Sequence, residues 1–464
     1  MLPPNVLISL GSVLPPASIV KLLYFIGSLW VLYGLITILY NISRLHPLSK
    51  FPGPKLAAAT LYYEAWFDFI KVGRYTRKIG EMHNKYGPIV RISPSELHCN
   101  DPSFIPEIYA SGGRKRNKDP HTYRSMISPI DKTAFATEDH DLHRIRRAPI
   151  AKYFSRQSTL QLEAVVLNQL EHFCKKLLSC QNGAAFDITT AYSCFTSDVI
   201  STCCFGEPLG FLAQSGWEPN WRRPTYSFLD TIFLLRFFPI LRRLVRFGNF
   251  LALHGWLGSD IKMVLHTIHV RIPTLVSKAP RSIASGSQQT LYTHIQDSNG
   301  LPESERSPSR LSAESMALLN AGTETTAWAL SVITFYLLSQ PEILHRLTRE
   351  LNQTNPEQKT WQVLEKLPYL SGVVMEGLRL SYGVSGRTPR IATQEELVFK
   401  GKAIPKGWAI GMSSAVMHHN EDIFPDSGSF LPDRWIDSRG NKRCDLEKYI
   451  LSFSRGSRQC LGIQ

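Results

Sequence analysis

Apolar and polar positions divide the chain into one unbroken apolar run near its start and a long body of mixed periodicity. Residues 22–43 carry no charge, and 22–40 is dominated by Leu, Ile, Val, Tyr, Phe and Trp. At a helical rise of about 1.5 Å per residue, such a stretch nearly spans a bilayer core. It exceeds a signal-peptide core, and no small-residue cleavage site follows it. Residues 22–43 are therefore expected to form a membrane anchor, with 1–21 on the lumenal side. Arg44, His46, Lys50 and Lys55 follow the run, against Lys21 before it. By the positive-inside rule, the body lies in the cytosol. Phe51-Pro52-Gly53-Pro54 cannot continue a helix, so 44–55 reads as a stiff basic hinge.

In the body, Lys85-Tyr86-Gly87-Pro88 predicts a turn and 89–92 alternates like a short strand. From about 141 to 178 the period is mostly helical. Residues 206–257 are aromatic, with Arg236, Arg242, Arg243 and Arg246 among Phe233, Phe237, Phe238 and Phe247. Two readings stand equal there: a lid touching substrate and lipid, or core helices with snorkelling arginines. The polar stretch 282–310 predicts a connector. Ser312 then fits an N-cap for an apolar helix of about 27 residues and some 40 Å, which runs to Leu338 before Pro341 ends it or starts another.

Composition changes this picture little. The 464 residues are 43% apolar, enough for a sizeable core. With 52 basic and 38 acidic residues, the net charge of +14 suits an anionic membrane surface or an acidic partner. The basic residues are scattered and carry no nucleic-acid-binding signature, so no nucleic-acid partner is expected. Eight cysteines include no CxxC pair, and they read as reduced, mostly buried thiols. Cys460 alone has unusual neighbours.

Those neighbours are Phe453-Ser454-Arg455-Gly456-Ser457-Arg458-Gln459-Cys460-Leu461-Gly462. Gly456 and Gly462 would let backbone approach a flat ligand. A metal would hold Cys460 as the thiolate, tuned by backbone N–H groups beyond it, and Arg458 is placed to pair with a carboxylate. The segment resembles the haem-binding loop of the cytochrome P-450 family, Phe-x-x-Gly-x-Arg-x-Cys-x-Gly, at every defined position.

Further blocks follow in the family's order. Ala321-Gly322-Thr323-Glu324-Thr325-Thr326 lies in the long helix, where the small pair would make room for dioxygen. The resemblance implies a hydrogen bond from Thr325 to bound dioxygen and proton delivery by Glu324. Taken alone, an acid-Thr pair in a helix is usually surface or packing. Glu376 and Arg379, at i and i+3, share a helix face, and such a pair by itself is a common surface feature. By resemblance they join Arg434 in a buried structural network. Arg390 and, in His143-Arg144-Ile145-Arg146-Arg147, Arg147 match propionate partners, with His143 replacing the family's Trp. His418-His419 lacks a third ligand and reads as structural. The wording around 381–392 resembles fungal secondary-metabolite members.

The resemblance covers roughly residues 50 to 464 and implies a mainly α fold with a small β region, the catalytic domain starting near residue 56. It implies haem b on Cys460 and electrons from NADPH through a membrane-bound reductase at the endoplasmic reticulum. Oxygen from O2 would enter a C–H bond or alkene of a hydrophobic small molecule, a terpenoid or polyketide, in a pocket involving Phe135, Leu318, Ala321 and Val384. Family members continue past the cysteine where this sequence stops after Gln464. A cut-short, inactive member is therefore one alternative, and a haem-thiolate isomerase or dehydratase is another.

Overall fold

The computed structural model describes residues 16–123, 125–126, 130–180, 183, 185–241, 262–263, 266–278, 290–298, 301–355 and 359–463. The elements used below are α1 (Pro16–Ile42), α2 (Tyr62–Ala65), α3 (Tyr75–Tyr86), β1 (Ile89–Arg91), β2 (Glu96–Cys99), β3 (Arg116–Lys118), α4 (Pro120–Tyr123) and α5 (His140–Tyr153). They continue with α6 (Arg156–Ser179), α7 (Ile188–Phe205), α8 (Arg222–Phe237), α9 (Leu291–Gln296), α10 (Pro308–Ser339), α11 (Pro341–Gln353) and α12 (Pro368–Ser381). Strands β4 (Arg390–Ala392), β5 (Leu397–Phe399), β6 (Lys402–Ile404) and β7 (Ala409–Gly411) complete the small β region. The described chain is mostly helical with a small β region, as the family resemblance implies.

α1 starts earlier than expected and takes Lys21 into its first turns. Within Ser18–Ile42 an 18-residue window with a mean hydropathy of 2.1 has no buried residue, which makes the helix a candidate membrane span. The segment after it is docked on the body. Asn41 Nδ2 donates to the Ala59 carbonyl (3.0 Å), and the Arg91 guanidinium reaches the Asn41 carbonyl (2.9 Å) and His46 Nε2 (3.2 Å). Leu48 and Phe51 are buried with the β region.

Five strands form one sheet in the order β1-β2-β7-β4-β3, with β2 and β7 parallel and the other pairs antiparallel. The register of β3 on β4 sets Lys118 directly opposite Arg390. The helical stretch from 141 is two helices. α5 and α6 break at Phe154-Ser155, where the Ser155 side chain caps the second.

The connector around 282–310 holds more structure than its polarity suggests. Thr290 and Thr293 form a reciprocal capping box that starts α9, and Leu291, Tyr292 and Ile295 sink into the main core. α10 begins four residues before Ser312, because Pro308 carries the φ that a first helical position needs. Pro341 opens α11 in the same way. Of the aromatic segment, α8 is described, whereas Arg242, Arg243, Arg246 and Phe247 lie outside the described residues. Arg236 does not snorkel: its Nη1 lies 3.4 Å from Glu64 Oε1 and 3.6 Å from Asp68 Oδ2.

Candidate functional site

The Cys460 loop is closed on itself and pinned from three sides. The Cys460 N–H donates to the Phe453 carbonyl (2.8 Å) and the Ser457 N–H to the Ala110 carbonyl (3.2 Å). Arg458 donates to the Thr137 (2.6 Å) and Glu138 (2.7 Å) carbonyls just before α5, and Arg390 Nη2 reaches Ser454 Oγ (3.3 Å) from β4. Gly456 has φ +71°, and an added Cβ would meet the Tyr109 carbonyl oxygen at 2.1 Å. Its lack of a side chain therefore serves the fit of the loop on its own protein. Gly462, at φ −87°, carries no such constraint, and its nearest neighbour is Cys460 Sγ at 4.0 Å.

Cys460 is exposed at the surface. Protein crowded around its sulfur still pushes the thiol pKa up, against the opposing pull of the Gly462 N–H and the Arg147 guanidinium. Arg147 comes from α5, half-buried, and burial lowers its own pKa while Cys460 raises it.

Arg147 belongs to a group of cations that sequence reading captured only in part. Arg390 and Arg458 are buried, and so is Lys118, which the sequence reading missed. Burial pushes the Lys118 pKa well down, and the charges of Arg390, Arg458 and Arg147 push it further. Its ammonium donates to the Phe135 carbonyl and sits over the rings of Tyr123 (4.2 Å) and Phe135 (4.3 Å). His143, buried beside them, is driven to about 2 by burial and the same charges. Among the described residues, no carboxylate forms an ion pair with Lys118, Arg147, Arg390 or Arg458. Like charges directly opposite on paired strands repel, and a buried cation without a counter-ion is costly. Arg458 Nε is buried with no hydrogen-bond partner among the described residues. The arrangement asks for a dianion beside an available cysteine, which haem supplies with its two propionates and its iron.

The long helix presents its motif in two directions. Ala321 and Thr325 are exposed on one side, with the Thr325 hydroxyl donating to the Ala321 carbonyl (2.6 Å). Gly322 faces α7 instead: an added Cβ would lie 2.9 Å from Ile200 Cγ1. It therefore lets α7 and α10 pack closely. Glu324 also turns toward α7, where Ser193 Oγ donates to it (2.6 Å). Burial raises its pKa, partly offset by Ser193 and Arg222. The structure thus does not join Glu324 and Thr325 by a hydrogen bond. Of the expected pocket residues, Phe135 is 51% and Val384 60% exposed, whereas Leu318 packs on the main core.

Behind the loop, the expected network is present, with Glu376 and Arg379 fully buried and Arg434 half-buried. Arg379 pairs with Glu376 through Nε (2.9 Å) and Nη2 (2.7 Å), and Arg434 Nε donates to the same carboxylate (2.9 Å). Trp435 Nε1 (2.9 Å) and the Leu431 N–H (3.0 Å) complete its shell, partners that the i, i+3 spacing gave no sign of.

The sequence profile described as cytochrome P-450 matches residues 61–464. The chain belongs to the cytochrome P-450 family. A cytochrome P-450 monooxygenase of Metarhizium majus is 38% identical over 445 residues, covering 90% of this chain and 92% of its own. Conidiogenone synthase of Penicillium rubens is 40% identical over 427 residues, covering 90% and 84%. Tryptophan 6-hydroxylase of Fusarium equiseti is 38% identical over 436 residues, covering 91% and 83%. This P-450 is accordingly an oxidoreductase of the monooxygenase type, related to fungal secondary-metabolite enzymes. Its family uses a haem-thiolate cofactor, a redox partner, O2 and a small-molecule substrate.

Proposed function

We propose that this P-450 hydroxylates or epoxidises a hydrophobic small molecule, a terpenoid or polyketide, in fungal secondary metabolism. The observation that carries the reading is the exposed Cys460 beside Lys118, Arg147, Arg390 and Arg458, cations that lack acidic partners among the described residues. Cys460 would hold haem b, which when bound would supply the activation of O2. Lys118, Arg147, Arg390 and Arg458 would hold its propionates. Phe453 closes the Cys460 loop through its carbonyl, Gly456 lets the loop seat on Tyr109, and the Gly462 N–H donates to the Cys460 sulfur.

The balance is substrate C–H plus O2, two electrons and two protons, giving C–OH and water. Thr325 offers its hydroxyl on the open side of α10, and Glu324 holds a proton more readily than an ordinary carboxylate. Phe135, Leu318, Ala321 and Val384 give the substrate an apolar surround. The relatives' names point to different products, a conidiogenone and a hydroxylated tryptophan, so oxygenation of a small molecule is their common feature.

Electrons arrive from NADPH through a membrane-bound reductase whose acidic surface suits the net charge of +14. Residues 22–43 anchor the protein in the endoplasmic reticulum membrane, with 1–21 lumenal and the catalytic domain from residue 56 cytosolic. The test is the carbon monoxide difference spectrum of the reduced chain in membranes. A red-shifted Soret band that disappears in Cys460→Ala supports the reading; no such band in the unchanged chain overturns it.

A further inference from the structure

One buried carboxylate ties together three segments that surround the candidate site, and this goes beyond the family reaction while resting on the proposed placement of its substrate. Glu64, on α2, is 1% exposed. Its Oε1 accepts from Arg387 Nη2 and lies 3.4 Å from Arg236 Nη1, while its Oε2 lies 3.5 Å from His121 Nε2. Arg387 is itself fixed to the sheet: its Nε donates to both oxygens of Glu96 (2.9 Å each), and it bridges Ser413. It stands three residues from Val384.

The other two partners, an imidazole and a guanidinium, stand on α4 and α8. His121 is on the four-residue α4, whose Tyr123 packs edge-on against Phe135 at 5.7 Å. Arg236 is in the last turn of α8. The opposite end of α8 is held at α10, where Trp221 Nε1 (2.9 Å) and Thr225 Oγ1 (3.4 Å) donate to Asn320 Oδ1, next to Ala321. α8 therefore runs from the motif of the long helix to the Glu64 cluster. It meets α4 there through Phe237 against the His121 ring, 5.6 Å apart. Asp68 gives Arg236 a second, longer contact at 3.6 Å.

We propose that Glu64 is a positioning residue: it holds the last turn of α8 and the short α4 against the Arg387–Glu96 pair, and so sets how readily bulky substrates pass between them. Breaking a buried ion pair leaves the remaining charges uncompensated. Loss of the Glu64 charge should therefore loosen both elements, while Arg387 keeps Glu96 and the sheet stays intact.

Hydrogen exchange of the full chain in detergent tests this without requiring haem. Glu64→Gln should speed exchange in the last turns of α8 and in α4 by about tenfold and leave α10 and α12 unchanged. Arg236→Gln should speed α8 alone, and His121→Gln α4 alone. In haem-loaded protein, Glu64→Gln should speed association of 4-phenylimidazole but not of carbon monoxide. Unchanged exchange, uniformly faster exchange, or equal effects on the two ligands overturns the proposal. If Glu64→Gln does not fold, the two single-element variants decide, and failure of either to loosen only its own element overturns the proposal. Absence of a haem-thiolate spectrum in the unchanged chain defeats the reading of the site, not this one, because local exchange still reports on Glu64.

Discussion

Arg379 and His418 bind each other's backbone. Arg379 Nη1 donates to the His418 carbonyl (2.9 Å), and His418 Nδ1 donates to the Arg379 carbonyl (2.7 Å). The second ring nitrogen, Nε2, accepts the Leu451 N–H (2.9 Å), so the neutral ring carries its proton on Nδ1. This exchange ties α12 and its Glu376 cluster to the chain leading into the Cys460 loop, and it explains why His418 is structural.

Acid should therefore unfold the protein through its buried imidazoles. Burial lowers the His418 pKa to about 3, and Arg379 and His419 lower it too, against the raising effect of its bond to the Arg379 carbonyl. The unfolded chain takes up the proton near pH 6.5 and the folded chain resists it. Stability is then full above pH 6.5 and falls as pH drops toward 3. His46, lowered to about 4 chiefly by burial, and His143, lowered to about 2, act in the same direction. His418→Phe should cost about 2–4 kcal/mol at pH 8, because it leaves the Leu451 N–H and a buried carbonyl unmet. It should also flatten the acid limb by about one proton. Denaturant midpoints from pH 8 to 4 check both, and an unchanged slope would remove His418 from the account.

The two glycines of the loop should respond in opposite ways. Gly456→Ala puts a Cβ against the Tyr109 carbonyl at a φ of +71°, which should destabilise by about 2–4 kcal/mol and unseat the Cys460 loop. Gly462→Ala meets nothing closer than the sulfur at 4.0 Å and should change stability by less than about 1 kcal/mol. Thermal unfolding and the alkylation rate of Cys460 distinguish the two. Equal effects would show that Gly456 is not held by its backbone neighbours.

Replacing a cation should reverse sign with the cofactor. Lys118 lies opposite Arg390 and is pressed by three guanidiniums, so without haem it is a repulsive charge. Lys118→Met keeps much of the packing and should stabilise the haem-free chain by about 1 kcal/mol. The same variant should lose haem faster, since one propionate partner is gone. Unfolding of the haem-free protein and transfer of haem to apomyoglobin measure the two effects. Loss of stability in both states would make Lys118 an ordinary core residue.

The contrast between Lys118 and Cys460 also shows what a sequence discloses. The residues that present the Cys460 sulfur lie within ten positions, so their chemistry is legible as one string. The Glu376–Arg379 pair is legible for the same reason, one helical turn apart. Lys118 acquires its role only when β3 pairs with β4, some 270 residues away, and a three-residue strand leaves almost no period to read. Trp435 and His418 likewise reach their partners across loops. Ser312 has cap chemistry, but the backbone fixed by Pro308 decides where α10 starts. The position of Glu324 on the helix is legible, but which way it turns depends on Ser193, a residue on another helix.

That orientation gives Glu324 a measurable signature. Burial raises its carboxyl pKa, with Ser193 and Arg222 pulling the other way, so it keeps its proton to higher pH than an exposed glutamate. If the protonated acid feeds oxygen activation, turnover should fall as pH rises through that elevated pKa. Glu324→Gln preserves the Ser193 bond, because the amide oxygen still accepts it, and should leave stability nearly unchanged. It should lower turnover about 100-fold and abolish the pH limb. Thr325→Val removes a hydroxyl now satisfied by Ala321 and should lower product formed per O2 consumed, with substrate binding intact. Product and O2 measured together from pH 5 to 9 give both quantities. A limb that survives in Glu324→Gln would assign that pKa to another group and leave Glu324 as a partner for α7.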